Sequence, residues 1–195
     1  MSDPSKIYFN TFCIDKRFDN LSTEYLKAIG FNQNYYLGST AGSALCLGYS
    51  QYCQEICNCH CTHTQTETTS CDPLNLDMVL LKDSLTKNID ISLSLDQIAE
   101  IYLINHQDCG AIKAYLGCSG YPQNPGENNS LEIKINTDLL VFASEYLKTK
   151  YPNIVDRLGL MDLNGTVCDY DIKFNSWRLV YRGPGNDTRG LWFGL

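Results

Sequence analysis

Short apolar runs that stop at clusters of polar residues recur along this chain. Residues 6–12 form a β-rich run that ends at the polar stretch 13–17. A near-continuous apolar run at 100–105, typical of strands buried on both faces, ends at the polar stretch 106–110. Each run predicts a strand that delivers polar residues at its carboxyl end.

Helical patterns separate these runs. Residues 21–30 predict a helix. Asn20 or Ser22 caps its first turn, and Gly30 takes the left-handed position that follows its last turn. Two further helices are predicted at 111–116 and at 137–150, where the apolar residues fall on one face and Pro152 lies beyond the end.

Further strands complete the pattern. A strand at 35–37 runs into the small residues 38–43, and residues 158–167 predict a strand with a turn at Asn164-Gly165. The tail has strand-like pieces at 172–174 and 177–181.

Alternating strands and helices predict an α/β fold, with a mainly parallel sheet flanked by helices. Ligands of such sheets gather outside the carboxyl ends of the strands. Cys13 and His106 both stand at such ends. The sequence therefore predicts that these two residues, 93 positions apart, are neighbours in space.

One segment, residues 46–77, interrupts the alternation, and we expect it to be a looped insertion rich in Cys and His. It contains more ligand-type side chains than one tetrahedral metal site needs, so a second, structural zinc site is one interpretation, and disulfides or free thiols are the others. The residues of this candidate cluster are Cys53, Cys57, Cys59, His60, Cys61, His63 and Cys71.

Length and composition narrow the class of protein. The chain has 195 residues, 44% of them hydrophobic, which suits one globular domain with a full core. A net charge of −7 argues against a protein that mainly binds nucleic acid or an anionic membrane. No secretory signal or membrane-spanning run is visible, so we expect a cytoplasmic protein whose ten cysteines are mostly ligands, catalytic groups or buried thiols.

Three of these side chains form a candidate metal site. Cys13, His106 and Cys109 offer two thiolates and an imidazole, a set that suits zinc and leaves a fourth position for water. Zinc lowers the pKa of such a water and supplies hydroxide as a nucleophile. Asp15 would orient that hydroxide, while Arg17 keeps the Asp15 carboxylate ionised.

The two motifs together resemble those of the β-class carbonic anhydrase family. The first is Cys13-Ile14-Asp15-Lys16-Arg17 and the second is His106-Gln107-Asp108-Cys109-Gly110, each after a predicted strand and in the family's order. The resemblance covers about residues 6–43 and 78–167. It implies the family's α/β sheet, zinc on Cys13, His106 and Cys109, and an Asp15–Arg17 dyad beside the metal. It further implies reversible hydration of CO2 to bicarbonate by zinc-bound hydroxide, a pocket that includes Gly42 and Gly110, and a homodimer or larger homo-oligomer.

The chain also departs from the family. Ser39-Thr40-Ala41-Gly42 replaces the usual Arg-Asn-Ala-Gly turn, and the two motifs are more widely separated than is usual. Related family members hydrolyse carbonyl sulfide or carbon disulfide with similar zinc sites. Two alternatives therefore stand beside CO2 hydration: a hydrolase of such sulfur compounds, and a catalytically silent, zinc-stabilised structural or interaction protein of the same fold.

Overall fold

A computed structural model describes residues 6–31, 34–56, 75–116 and 120–185 of the chain. The elements are β1 Ile7–Cys13, α1 Asp19–Ala28, β2 Tyr35–Thr40, α2 Leu45–Glu55, α3 Leu76–Leu95, β3 Ile98–His106, α4 Gly110–Leu116, α5 Asn129–Lys150, β4 Val155–Met161, β5 Val167–Asp171 and β6 Ser176–Tyr181. No helix in this part of the chain combines the length and apolar character that crossing a bilayer requires.

The six strands form one sheet in the order β2-β1-β3-β4-β5-β6. The pairs β1–β2, β1–β3 and β3–β4 are parallel, whereas β4–β5 and β5–β6 are antiparallel. The predicted α/β class with a mainly parallel sheet is confirmed. The predicted turn at Asn164-Gly165 is also present between β4 and β5, with Gly165 at φ +78°.

Each face of the sheet carries its own hydrophobic cluster. Alternate residues of β1 point to opposite faces, so Phe9 joins the cluster that α2, α3 and α5 cover, and Tyr8 joins the cluster that α1 covers. Leu103 and Tyr102 divide in the same way on β3. Because β1, β2, β3 and β4 run parallel, their carboxyl ends lie at the same edge of the sheet.

The prediction that residues 46–77 form a loop is wrong where the structure describes them. Residues 46–55 belong to helix α2, and α3 begins at Leu76, capped by the Asn75 side chain. The reason is that Leu45, Tyr49 and other buried side chains of α2 build the core against α5, a helical pattern that the cysteine spacing obscured. Residues 57–74 lie outside the described residues.

The helix starts also differ from the predictions. Helix α1 begins at Asp19 after Phe18, so neither Asn20 nor Ser22 caps it, and the Ser22 hydroxyl instead donates to the Asp19 carbonyl. Gly30 does take a positive φ of +88°, as predicted.

The remaining differences concern the start of α5, the helix α3 and the segment between β5 and β6. Helix α5 begins at Asn129, well before the predicted start at 137, because Asn128 accepts from the Leu131 amide. The long helix α3 was not predicted. Residues 172–174 form a turn between β5 and β6 instead of the predicted strand, whereas the strand at 177–181 is confirmed as part of β6.

Candidate metal centre

The predicted ligands meet at the carboxyl edge of the sheet. Cys13 ends β1 and His106 ends its parallel neighbour β3, so both side chains reach the same edge. Cys109 follows three residues after His106, at the turn into α4. The ligand atoms of these three residues lie within 4.8 Å of one another. The prediction that Cys13 and His106 are neighbours is confirmed.

The geometry of the three donors fits a metal ion such as zinc. The Cys13 and Cys109 sulfurs are 4.0 Å apart. Two thiolates at about 2.3 Å from a tetrahedral zinc would be about 3.8 Å apart. His106 donates from Nδ1–H to the Gln107 carbonyl over 2.8 Å, which leaves a lone pair on Nε2. That Nε2 is buried and has no hydrogen-bond partner among the described residues, as expected of a metal-binding nitrogen.

The surroundings favour a thiolate at Cys13. The Cys109 S–H and the nearby His106 ring lower the pKa of the Cys13 thiol, and the Gly42 amide donates to the same sulfur over 3.2 Å. The pKa of Cys109 is raised because Cys109 donates to Cys13 and is itself buried. The surroundings of Cys13 thus favour the thiolate, the form of cysteine that binds a metal.

The turn of small residues after β2, at positions 41–44, is hydrogen-bonded to β1 and β3 next to Cys13. The Ser43 hydroxyl is 2.9 Å from the Thr11 hydroxyl, and the Ala44 amide donates to the Asn105 side chain over 3.1 Å. These contacts hold Gly42, at φ +77°, where its amide reaches the sulfur of Cys13. Sequence analysis missed this support from β1 and β3, because the polar residues lie inside apolar strands.

Gly110, the other glycine of the predicted pocket, is the first residue of α4. It is exposed, and a Cβ added there would meet nothing within 4 Å. A side chain at this position would therefore point into open space, whereas the neighbouring Cys109 is 1% exposed.

Asp15 and Arg17 form the predicted ion pair. Arg17 donates from Nη2 to Asp15 Oδ2 over 2.6 Å and from Nε to both carboxylate oxygens over 3.1 Å. These hydrogen bonds lower the pKa of Asp15 below its usual value. The carboxylate thus stays ionised and fixed in orientation.

Asp108 is a third member of this ion-pair group and was not predicted. Its carboxylate accepts from Arg17 Nη1 over 2.6 Å, its carbonyl accepts from Arg17 Nη2 over 2.8 Å, and Lys113 binds its other carboxylate oxygen. The only sequence signal was its place between His106 and Cys109.

A cleft of about 330 Å³ lies beside Cys13 and Asp15. Phe12, Leu26 and Leu37 contribute apolar wall, and Ser39 contributes a hydroxyl. A larger cleft of about 650 Å³ lies at the opposite edge of the sheet, around the amino-terminal end of β4, and contains none of the metal-site residues. The smaller cleft borders Cys13 and Asp15, whereas His106, Cys109 and the two glycines of the predicted pocket, Gly42 and Gly110, are not among its lining residues.

The candidate cluster of the Cys- and His-rich segment falls mostly on residues that the structure does not describe. Cys57, Cys59, His60, Cys61, His63 and Cys71 lie outside the described residues. Cys53 is described, and it is buried in α2 as part of the core. Within the described ranges, Cys13, His106 and Cys109 are the one group found that could hold a metal ion.

Comparison of the chain with protein-family models, curated proteins and solved structures finds no match.

Proposed function

We propose that this protein is a zinc-dependent carbonic anhydrase that hydrates CO2 reversibly to bicarbonate. The observation that carries the proposal is the convergence of two sulfurs and a buried, unpartnered imidazole nitrogen next to the Asp15–Arg17 ion pair. Zinc bound by Cys13, His106 and Cys109 would act as a Lewis acid that lowers the pKa of a coordinated water and so supplies the nucleophile.

The chain's own residues have separate roles in this reaction. The ionised Asp15 carboxylate accepts a hydrogen bond from the attacking oxygen and aligns its lone pair with the substrate. Arg17 keeps that carboxylate charged and in place. Phe18 packs on the His106 ring, with 4.1 Å between ring centroids, and holds the imidazole in the orientation that its Nδ1 hydrogen bond requires. The apolar wall of the cleft suits a small neutral molecule such as CO2.

The test combines zinc content per chain with stopped-flow CO2 hydration on the same fresh sample, from about pH 7 to pH 9. We expect zinc on the Cys13–His106–Cys109 site and turnover that rises with pH. A Cys13→Ser, Cys109→Ser double variant should lose both. Any zinc left on that variant belongs to other residues.

The negative results separate the alternatives. Zinc without CO2 hydration, but with release of hydrogen sulfide from carbonyl sulfide, would replace the proposal with a hydrolase of sulfur compounds. Zinc without either activity would favour the structural or interaction protein. Absence of zinc after purification and after reconstitution would overturn the zinc site itself.

A further inference from the structure

The turn from His106 to Cys109, called here the ligand turn, carries two of the three candidate ligands and has an unfavourable backbone conformation. Asp108, between His106 and Cys109, has a φ of +58°. For an L-residue other than glycine this left-handed conformation costs about 1 kcal/mol, although Asp tolerates it better than most residues. The turn therefore needs contacts from elsewhere in the fold to hold it.

A buried carboxylate from helix α5 supplies such a contact. Glu132 lies in the first turn of α5 and is 1% exposed. Its Oε1 accepts from the backbone amide of Asp108 over 2.6 Å and from the hydroxyl of Tyr121 over 2.7 Å. Tyr121 is equally buried, so both bonds lie in a dry environment where they are strong.

Stability alone does not account for a carboxylate in this place. Within the described part of the chain, Glu132 forms no salt bridge with Lys, Arg or His. Burial of a carboxyl group without a salt-bridge partner carries a desolvation cost, and a well-packed apolar residue is often at least as stable in such a position. The carboxylate provides a strong acceptor for the Asp108 amide, which lies beside the Gln107 amide that donates to the Met161 carbonyl over 2.8 Å.

The residue that Glu132 holds, Asp108, also contacts the Asp15–Arg17 ion pair. The carbonyl and carboxylate of Asp108 both bind Arg17, which holds Asp15. A displaced Asp108 amide would therefore shift Cys109 on one side and Arg17 on the other.

We propose that Glu132 is a positioning residue that holds the His106–Cys109 turn in its metal-binding conformation. This inference rests on the metal site of the proposed function, but not on which substrate that site acts upon. Residues around a metal site that orient its ligands typically change metal affinity or activity about 10–100-fold when they are replaced.

The experiment measures the zinc dissociation constant by competition with a chromogenic chelator and the melting temperature of the metal-free protein. Glu132→Gln keeps an oxygen acceptor but replaces the carboxyl group by an amide, a weaker acceptor, and we expect zinc binding about 10-fold weaker. Glu132→Met removes the acceptor, and we expect a loss of about 100-fold. Glu145→Gln, an exposed glutamate on the same helix, is the matched control and should bind zinc like the wild type.

A spectroscopic readout separates positioning from general destabilisation. In the cobalt-substituted protein, Glu132→Gln should shift the thiolate-to-cobalt absorption and the visible bands of the ion, with the metal-free melting temperature unchanged or raised. Wild-type zinc affinity and an unchanged cobalt spectrum in Glu132→Gln and Glu132→Met would overturn the inference. A loss of affinity in proportion to a lower metal-free melting temperature would overturn it as well.

These results are distinguishable from failure of the proposed function. If the wild type binds zinc without hydrating CO2, the proposed reaction fails while the affinity comparison still decides the role of Glu132. If the wild type binds no zinc at the Cys13–His106–Cys109 site, both proposals fail.

Discussion

Arg17 connects Asp15 with Asp108, the residue that lies between the candidate ligands His106 and Cys109. Its guanidinium binds the Asp15 carboxylate through Nε and Nη2 and the Asp108 carboxylate through Nη1. A planar fork of donors suits this arrangement, and a lysine could not reproduce it. At the scale of single residues, the orientation of Asp15 therefore depends on Arg17 and, through Asp108, on the ligand turn.

We predict that Asp15→Asn keeps zinc and loses CO2 hydration by about 10²–10⁴-fold, because the amide cannot serve as an ionised acceptor. Zinc analysis and stopped-flow hydration check this on one sample. Asp83→Asn, an exposed change on α3, is the control and should keep full activity. Wild-type turnover in Asp15→Asn would show that Asp15 has no part in the reaction.

A second residue-scale prediction concerns Glu100 on β3, which is partly buried. Its Oε1 has no hydrogen-bond partner among the described residues, and burial raises the pKa of its carboxyl above the unfolded value. The unfolded chain therefore loses this proton at a lower pH than the folded chain does, and stability falls as the pH rises between the two pKa values.

Glu100→Gln should for that reason be more stable than the wild type at pH 7, by about 1–3 °C in melting temperature, since partial exposure screens the charge. The difference should vanish below the unfolded pKa of Glu100. Melting curves at pH 7 and pH 3.5 check both parts, with the exposed Glu24→Gln as control. A gain of equal size at both pH values would contradict this account.

At the scale of elements, the close approach of α2 and α5 determines how the helical layer covers the sheet. Gly48 of α2 lies directly against the backbone of Leu139 in α5, and a Cβ at Gly48 would collide with the Leu139 carbonyl oxygen. Helix α5 also carries Glu132, which accepts from the Asp108 amide, so a shift of α5 would move the ligand turn. The contact between the two helices thus bears on both the core and the metal site.

We predict that Gly48→Ala destabilises the protein by about 1–3 kcal/mol, because a backbone atom cannot move aside as a side chain can. Chemical denaturation of the metal-free protein measures the change. Gly110→Ala adds the same methyl group in open space and should leave the stability nearly unchanged. Equal stability of the two variants would mean that α2 and α5 separate at little cost.

At the scale of the whole molecule, the candidate metal site joins parts of the chain that are distant in sequence. Cys13 ends β1, whereas His106 and Cys109 border the connection from β3 to α4. A metal bound here stabilises the folded state over the unfolded chain, in which these ligands are far apart.

We predict that zinc at 100 times its dissociation constant stabilises the protein by about 2.7 kcal/mol and raises the melting temperature by about 5–10 °C over the chelator-treated protein. The Cys13→Ser, Cys109→Ser double variant should lack this rise. A rise that persists in the double variant would show that zinc binds elsewhere in the chain.

The fold could be predicted where local pattern and tertiary packing agree. The strands around residues 6–12 and 100–105, the left-handed Gly30 and the turn at Gly165 all follow from local pattern. The pattern failed for α2, because its tyrosines, cysteines and glycine become a buried face only when α5 packs on them.

The amino-acid sequence by itself determined the α/β class, the mainly parallel sheet and the three candidate ligands. Periodicity and the polar stretches at the strand ends are local properties, so they can be read without the fold. Only the tertiary structure decided that the Cys13 and Cys109 sulfurs lie 4.0 Å apart and that Glu132 holds the Asp108 amide. Such contacts join residues that are far apart in sequence, and no spacing along the chain specifies the distance between them.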